Sequence, residues 1–538
     1  MKFFREIFFG EEKTFTLRVI FFHALILSAS VAFLYLFSYS TSPRYETFGD
    51  DSTIFQAVGK CWAEGLIPYV GAFENKGPIL FAVDAIGYAI YPRVGIFFLQ
   101  IPFMYFSLLF AWRAIELHWS RSATFALWLT MIFLRASLFY EGNRTEEYSM
   151  PFLLAAVYFF LRGLKEKNFP PIVGFVFGLG FGACVLLRTT NGLPICCLAV
   201  MATIFLLHAG EIKILLKNFL NFCAGFAIIC LPFVIYFAAH GALYDMLYGT
   251  ILINVKHATG FHMTREEFFA VMIPIAFARF TLLFWLIFLS VLVLVRDGKN
   301  KLAWSGLFCG AALLFMLLKS RPFYGYSELI ISLVPLMFAV VAELKTSLSP
   351  ELKKLWARRG ISARRILCKV TSGLLMIAVA WTLWIHWTSF QRSFFDNNNF
   401  SCAVFTEFDK IIPRNERNSV VMWGESLSIG RFILETGIKP RCRFFGNIQM
   451  FFGKSDPAVI DEWISNVRGD YPKWIVYGAL DKEFSGVEPN FFERNFRLQR
   501  NPRVEEILAE KYIITDETKL YGQTVRLYRY HEKREATH

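Results

Sequence analysis

With 55% hydrophobic and 17% aromatic residues, 18% charged residues and a mean hydropathy of +0.43, the 538-residue chain is too apolar for a soluble enzyme. Its net charge of +13 does not point to nucleic acid. Much of the Lys and Arg falls in short loops between apolar runs, where such residues set membrane topology.

In chain order, Met1 to Arg18 is basic and belongs on the cytoplasmic side, and Thr16 to Ser40 is the first span. That span is too long, and lacks the small-residue site, for a cleaved signal peptide, so it reads as a retained anchor. It delivers the carboxylates Asp50 and Asp51 to the far side. They open the stretch from Gly49 to Pro78, which holds an amphipathic run, a turn at Gly65-Leu-Ile-Pro68-Tyr69 and a close at Glu74-Asn-Lys76-Gly-Pro78. Ile79 to Tyr91 is a 13-residue apolar run fenced by Pro78 and Pro92. It is too short to cross and predicts a re-entrant or interfacial helix, kept interfacial by Asp84.

Further spans are expected near 94–112, 122–140, 149–164, 171–187, 193–208, 218–240, 270–295, 302–318, 327–343 and 366–388. The loop charges fit this eleven-span arrangement. Cytoplasmic segments carry Arg113, Arg121, Arg162, Lys165, Lys167, Lys213, Lys217, Arg296, Lys299 and Lys301, and a further basic run from Lys345 to Arg365. External loops carry far fewer, among them Arg93, Arg144, Arg188, Lys256 and Arg265; were 79–91 to cross, the asymmetry would invert. The chain therefore divides into a transmembrane domain, 1–389, and an external domain, 390–538. In the latter, short strands at 419–423, 474–477 and 524–530 and helices at 427–435, 456–467 and 504–511 predict a small α/β domain. Most cysteines lie in apolar runs and act as small hydrophobes. Cys402 and Cys442 either pair in an oxidising compartment or remain two thiols.

On this topology four polar clusters share the outer side. They are Asp50 and Asp51 with Glu74 and Lys76; Glu141 to Tyr148, which contains Glu146 and Glu147; Arg188 to Gly192; and Lys319 to Tyr326, which contains Arg321 and Tyr324. A carboxylate can deprotonate an attacking hydroxyl, and cations can stabilise a departing phosphate. Each residue also has a plainer reading. The acidic pair can be a solvated loop start, Glu146 and Glu147 can favour a helix N-terminus, and Arg188 and Arg321 can snorkel to headgroups. His257 and His262 lack a third ligand for a metal.

The acidic pair, Gly65 fifteen residues after Asp50 and the Phe73-Glu-Asn-Lys-Gly-Pro78 close resemble the GT-C membrane glycosyltransferases, of the type of the protein O-mannosyltransferases and the lipid A aminoarabinose transferase. Glu146 or Glu147 matches a second acidic position in the next external loop. Asn75 before Lys76, and Gly77 where the pattern has Pro, depart from it. The likeness covers residues 15 to 200, and the later spans by layout only. It implies inverting transfer from a polyprenyl-phosphate sugar to a glycan, lipid or protein acceptor at the outer face of a bacterial cytoplasmic membrane. Asp50 would be the general base, and Asp51, Glu146 and Glu147 its catalytic companions. Tyr69, Glu74, Lys76, Arg188, Arg321 and Tyr324 would serve the substrates, and Asp50 and Glu146 would be the ligands of a divalent cation, Mg or Mn, in enzymes that use one. A transporter or lipid flippase is the alternative. It calls for charges or broken helices near mid-membrane, whereas these charges gather at one face.

Overall fold

The computed structural model describes residues 7–9, 16–49, 51–259, 264–319, 324–345, 381–382, 384–387, 406–424, 426–445, 456–480, 501–520 and 523–531. Among the described residues, its membrane part includes the helices α1 Leu17–Phe37, α2 Asp51–Ala63, α3 Pro78–Ile90, α4 Val94–Glu116, α5 Arg121–Leu138, α6 Thr145–Glu166, α7 Pro171–Val185, α8 Leu193–His208, α9 Ile212–Ala239, α10 over 243–259, α11 Arg265–Arg279, α12 Thr281–Arg296, α13 Lys301–Lys319 and α14 Tyr326–Lys345. Among the described residues, six of these helical stretches are long and apolar enough to cross a membrane, and α11 with α12, bent by 71°, makes a seventh. The protein is thus a helical membrane protein. The span expected at 366–388 lies almost wholly outside the described residues.

Many exposed side chains on α1 and α9 are large and apolar, including Phe21, Leu220 and Ile235. A helix hydrophobic all round has lipid rather than water for its outer solvent. The inward faces of α4, α5, α6, α8, α13 and α14 share one apolar core. The helix α3 has 13 residues, about 20 Å at the usual helical rise, short of a hydrocarbon core of about 30 Å. It begins with Pro78 at a position where a missing N–H costs nothing. Asp84 does not keep it interfacial: the side chain is fully buried, and α2 runs so close that a Cβ on Gly59 would sit 2.2 Å from the Asp84 Cβ.

The C-terminal region carries α15 Thr406–Ile411, α16 Ser426–Thr436, α17 Ala458–Gly469 and α18 Pro502–Lys511 around a four-stranded mixed sheet. In the order β1-β2-β4-β3, β1 (Val420–Trp423) runs parallel to β2 (Trp474–Leu480). The strand β4 (Gln523–Tyr530) is antiparallel to both β2 and β3 (Tyr512–Leu520). The edge strand β3 was not expected from the sequence. Its run Asp516-Glu-Thr-Lys519 reads as a polar turn, and charges on an edge strand keep it from pairing with other chains. Cys442 is a buried free thiol, its ionisation pushed up to about 12 by that burial; Cys402 lies outside the described residues. The domain is not merely tethered. Ile429, Phe432 and Ile433 of α16 share a core with Ile54, Phe55 and Val58 of α2.

One backbone junction matters for the site. Gly77 N–H donates to the Leu187 carbonyl at 2.8 Å, and Ile79 N–H to that of Leu186 at 3.1 Å. This explains Gly77 where the resembled pattern has Pro. Proline has no N–H to give, and a Cβ here would lie 2.0 Å from the Leu186 carbonyl oxygen. The junction ties the segment carrying Lys76 to the one carrying Arg188. Gly77→Ala should therefore force the two segments apart and destabilise the protein by about 1–3 kcal/mol, read as a lower unfolding temperature of the purified protein in detergent.

Candidate functional site

The loop between α5 and α6 is stitched to the exit of α1. Ser40 N–H donates to the Glu141 carbonyl at 3.1 Å, and the Ser40 hydroxyl to that of Gly142 at 3.2 Å. Gly142, at φ +79°, packs so tightly that a Cβ would fall 2.0 Å from the Ser38 hydroxyl oxygen. Asn143 follows at φ +56°, a conformation Asn tolerates better than most residues. Its amide donates to the Ser52 hydroxyl at 3.0 Å and accepts from Tyr148 at 2.7 Å. The loop is thereby fixed against the first turn of α2.

At the centre lies Arg144. Its Nη1 meets Asp51 Oδ2 at 2.9 Å and Glu141 Oε1 at 3.1 Å, and its Nε lies 3.7 Å from Glu146 Oε2. Glu141 also accepts from the Ser52 N–H at 3.2 Å, placing negative charge on the N-terminus of α2. Burial disfavours the charge on Arg144, but Asp51, Glu146 and Glu141 outweigh it and keep the guanidinium ionised. Burial likewise works against the Asp51 carboxylate. Arg144, Lys76 and Arg188 overcome it and hold its pKa below the usual 3.8. Half of the Asp51 side chain still faces open space (48% exposed).

Glu146 and Glu147 are adjacent but part company. Glu146 turns to the cations, with its Oε1 3.1 Å from Arg188 Nη1 and its Oε2 accepting from the Thr145 hydroxyl at 3.1 Å. Glu147 turns into the bundle, where Gln100 Nε2 donates to both its oxygens at 3.1 and 2.9 Å and Asn143 N–H donates at 2.8 Å. It anchors the loop to α4. Nearby, Arg135 Nε and Nη2 donate to Glu328 Oε1 at 3.2 and 3.1 Å, both side chains buried. Arg135 is in the last turn of α5 and Glu328 near the start of α14. The pair lies at the end of the bundle that carries the site.

Lys76 is fixed by Glu74 Oε1 at 3.1 Å and Asn75 Oδ1 at 2.7 Å, with its ammonium 5.3 Å from the centre of the Phe55 ring on α2. Arg188, besides Glu146, stacks over the Tyr326 ring at 3.8 Å. Tyr69 has no open face. It is fully buried at φ +69°, among Phe73, Phe81 and Phe237, and its hydroxyl donates to the Lys76 carbonyl at 2.7 Å. Its place is behind the Lys76 loop. Asp50, Arg321 and the side chain of Tyr324 lie outside the described residues. Arg144 and Glu141 were not among the residues singled out from the sequence. The one available signal was a lone Arg between acids at positions 141, 146 and 147, which a topology count records merely as a loop charge. Among the described residues no group of three His, Cys, Asp or Glu is placed to hold a metal ion. Asp51, Glu141 and Glu146 converge instead on a guanidinium.

Removing the shared cation strands carboxylates that water cannot reach. Arg144→Gln should destabilise the protein by about 3–5 kcal/mol, with Arg144→Lys partly restoring it, as measured by thermal unfolding in detergent. The pH dependence follows from the lowered Asp51 pKa. The stability from its pairing is fully present above 3.8 and is lost as pH falls through the lower folded value. Unfolding curves of wild type and Asp51→Asn should differ at about pH 7 and converge only as pH falls below the lowered folded value.

No protein-family model matches the sequence, and no curated protein matches it. Solved structures do. ArnT from Cupriavidus metallidurans bound to undecaprenyl phosphate aligns with a TM-score of 0.52 at 11% identity, over 95% of this chain and 98% of that one. Its apo state aligns equally, over 95% and 97%. The Archaeoglobus fulgidus oligosaccharyltransferase with a tethered acceptor peptide gives 0.48 at 15% identity, over 85% and 69%. ArnT and the archaeal enzyme are both GT-C membrane glycosyltransferases. The chain has an ArnT-like fold over nearly its whole length.

Proposed function

We propose that the protein is a GT-C-type glycosyltransferase that moves a sugar from a polyprenyl-phosphate donor to a hydroxyl of a glycan, lipid or protein acceptor, with inversion. The observation that carries this reading is the meeting of carboxylates (Asp51, Glu141, Glu146) with cations (Arg144, Lys76, Arg188) at one end of a bundle with an ArnT-like fold. ArnT was solved with undecaprenyl phosphate, a lipid of the kind such a donor leaves behind.

In the proposed step the acceptor oxygen attacks the anomeric carbon of the sugar. The bond from that carbon to the phosphate oxygen breaks, polyprenyl phosphate leaves, and the hydroxyl proton passes to a carboxylate. Asp51 is a weak base while it is paired with Arg144, which directs the base role to its neighbour Asp50 and leaves Asp51 to orient the acceptor. Lys76 and Arg188, joined through the 77–79 and 186–187 backbone bonds, stabilise the departing phosphate; Arg321 adds a third cation. Glu146 holds Arg188 in place, and Glu74 holds Lys76. Arg144 stands among the carboxylates as a fixed cation.

The eleven-span topology places this end at the outer face of a bacterial cytoplasmic membrane, with the N-terminus inside and the region after residue 389 outside. The bend between α11 and α12 and the Arg135–Glu328 pair are features a transporter could also use. The pair falls near helix ends, which favours a surface reaction, whereas the bend, at the middle of the 265–296 stretch, does not separate the two readings.

Radiolabelled sugar transfer in membranes tests the reading. A positioned base contributes about 10²–10⁴-fold to the rate, so Asp50→Asn should lose that much turnover while still binding polyprenyl phosphate. Asp51→Asn should lose less, and Lys76→Ala should weaken donor binding. Near wild-type transfer by Asp50→Asn at normal expression would remove Asp50 from the role. A phosphatase fusion after Phe390 that reports a cytoplasmic position would overturn the topology.

A further inference from the structure

The loop that presents Lys76 is held from outside the membrane domain. The Phe73 N–H donates to the backbone carbonyl of Arg443 at 2.9 Å, and Arg443 Nη1 donates to the Tyr69 carbonyl at 3.2 Å. The same nitrogen pairs with Asp245 at the start of α10. The rest of the guanidinium is fixed within the C-terminal domain by two 2.7 Å bonds to the carboxylate of Glu462 on α17. Phe444 adds ring contact with Phe73 at 4.8 Å. Tyr69, gripped in this way, donates its hydroxyl to the Lys76 carbonyl at 2.7 Å. On the other flank, Asn254 of α10 donates to the Asn75 carbonyl at 2.9 Å and accepts from the Asn75 amide at 2.6 Å. One arginine therefore spans the C-terminal domain, α10 and both ends of the 69–73 turn.

We propose that Arg443 is a positioning residue through which the C-terminal domain sets the place of Lys76, so that the domain acts on the donor-phosphate side of the site. Arg443 touches no reacting atom. It acts by denying the 69–77 segment the alternative conformations in which the Lys76 ammonium would leave the Asp51–Arg188 neighbourhood. A fork with five donors is needed for this. Two of its nitrogens are spent on Glu462 and a third is shared between Tyr69 and Asp245, which a lysine ammonium on a flexible stem could not match. The inference rests on the reading of Lys76 as a phosphate-binding residue.

The test uses the full chain in nanodiscs, with Arg443→Ala, Arg443→Lys, Asp245→Asn and, as a control, Arg441→Ala. Arg441 pairs with Asp470 inside the C-terminal domain and contacts none of the loop. Hydrogen exchange of the 69–77 amides should accelerate roughly tenfold in Arg443→Ala, and less in Asp245→Asn and Arg443→Lys. The amides of β1, β2 and β4 should keep their wild-type protection, and Arg441→Ala should change neither. Binding of undecaprenyl phosphate should weaken about fivefold to tenfold in Arg443→Ala, with the acceptor KM unchanged. Unaltered exchange at 69–77 in both Arg443→Ala and Asp245→Asn would overturn the proposal, and so would a change in acceptor KM alone. Should Arg443→Ala fail to fold, Asp245→Asn carries the test, since it removes one partner of the guanidinium on the bundle and leaves Arg443 itself in place. Failure of the wild-type protein itself to bind undecaprenyl phosphate would defeat the glycosyltransferase reading, while the exchange data would still decide whether Arg443 holds the loop.

Discussion

A guanidinium shared among three carboxylates is the constraint on which this end of the molecule depends. Glu141 and Glu146 are almost completely buried, and a carboxylate in such a place is costly unless a cation and hydrogen bonds accompany it. Arg144 meets that demand for both, and for Asp51 as well. The arrangement dictates the surrounding backbone. The 141–144 loop must enter through a glycine and an asparagine with positive φ, and it must be fastened to Ser38, Ser40 and Ser52 to bring its arginine over the first turn of α2. Glu147, adjacent in sequence, is drawn the opposite way by Gln100 and locks the loop from beneath. Adjacent acids thus do different work because one faces cations and the other faces an amide.

The cationic side is organised by backbone as well as by charge. The Gly77–Leu187 and Ile79–Leu186 bonds bring two segments about 110 residues apart in sequence into register, and Lys76 and Arg188 lie immediately beside that junction. Neither cation relies on a flexible loop for its location. Preorganised charge of this kind is what stabilises a departing anion without reorganisation at the moment of reaction.

Much of this was legible in the sequence. The apolar runs gave spans within a few residues of α4, α8, α13 and α14, because twenty apolar residues have few other fates. The brevity of 79–91 gave α3, and two residues picked out from the stretch that follows the first span, Asp51 and Lys76, lie within electrostatic reach of each other. What was hidden has physical reasons. Arg144 is indistinguishable by type from an arginine that sets topology; only the fold shows that three acids surround it. Tyr69 sits in a turn rich in Gly and Pro, where an aromatic residue reads as an exposed recognition group, yet it is sealed in the core because its hydroxyl has a carbonyl to bond. Asp84, in an apolar helix, reads as a surface marker, whereas α2 covers it. Gly77 reads as a defect in a proline pattern and is instead the donor that joins two segments.

The distribution of polarity also explains why such a site belongs at the end of a bundle. A polyprenyl-phosphate carries its charge at the level of the headgroups and its chain in the hydrocarbon, while a hydroxyl acceptor comes from water. A site serving both, as the proposed function requires, would put fixed cations at the boundary and keep a carboxylate reachable from the aqueous side. Lys76 and Arg188 flank the first turns of α3 and α8, and Asp51 opens α2 with half its side chain exposed. Arg135 and Glu328, both buried at the same end of the bundle, are paired with each other, as buried charges in a membrane protein generally are. A helix covered by α16 on one face and by α3 on the other then keeps Asp51 at that boundary. The C-terminal domain is, in this sense, a wall of the site as much as a platform above it.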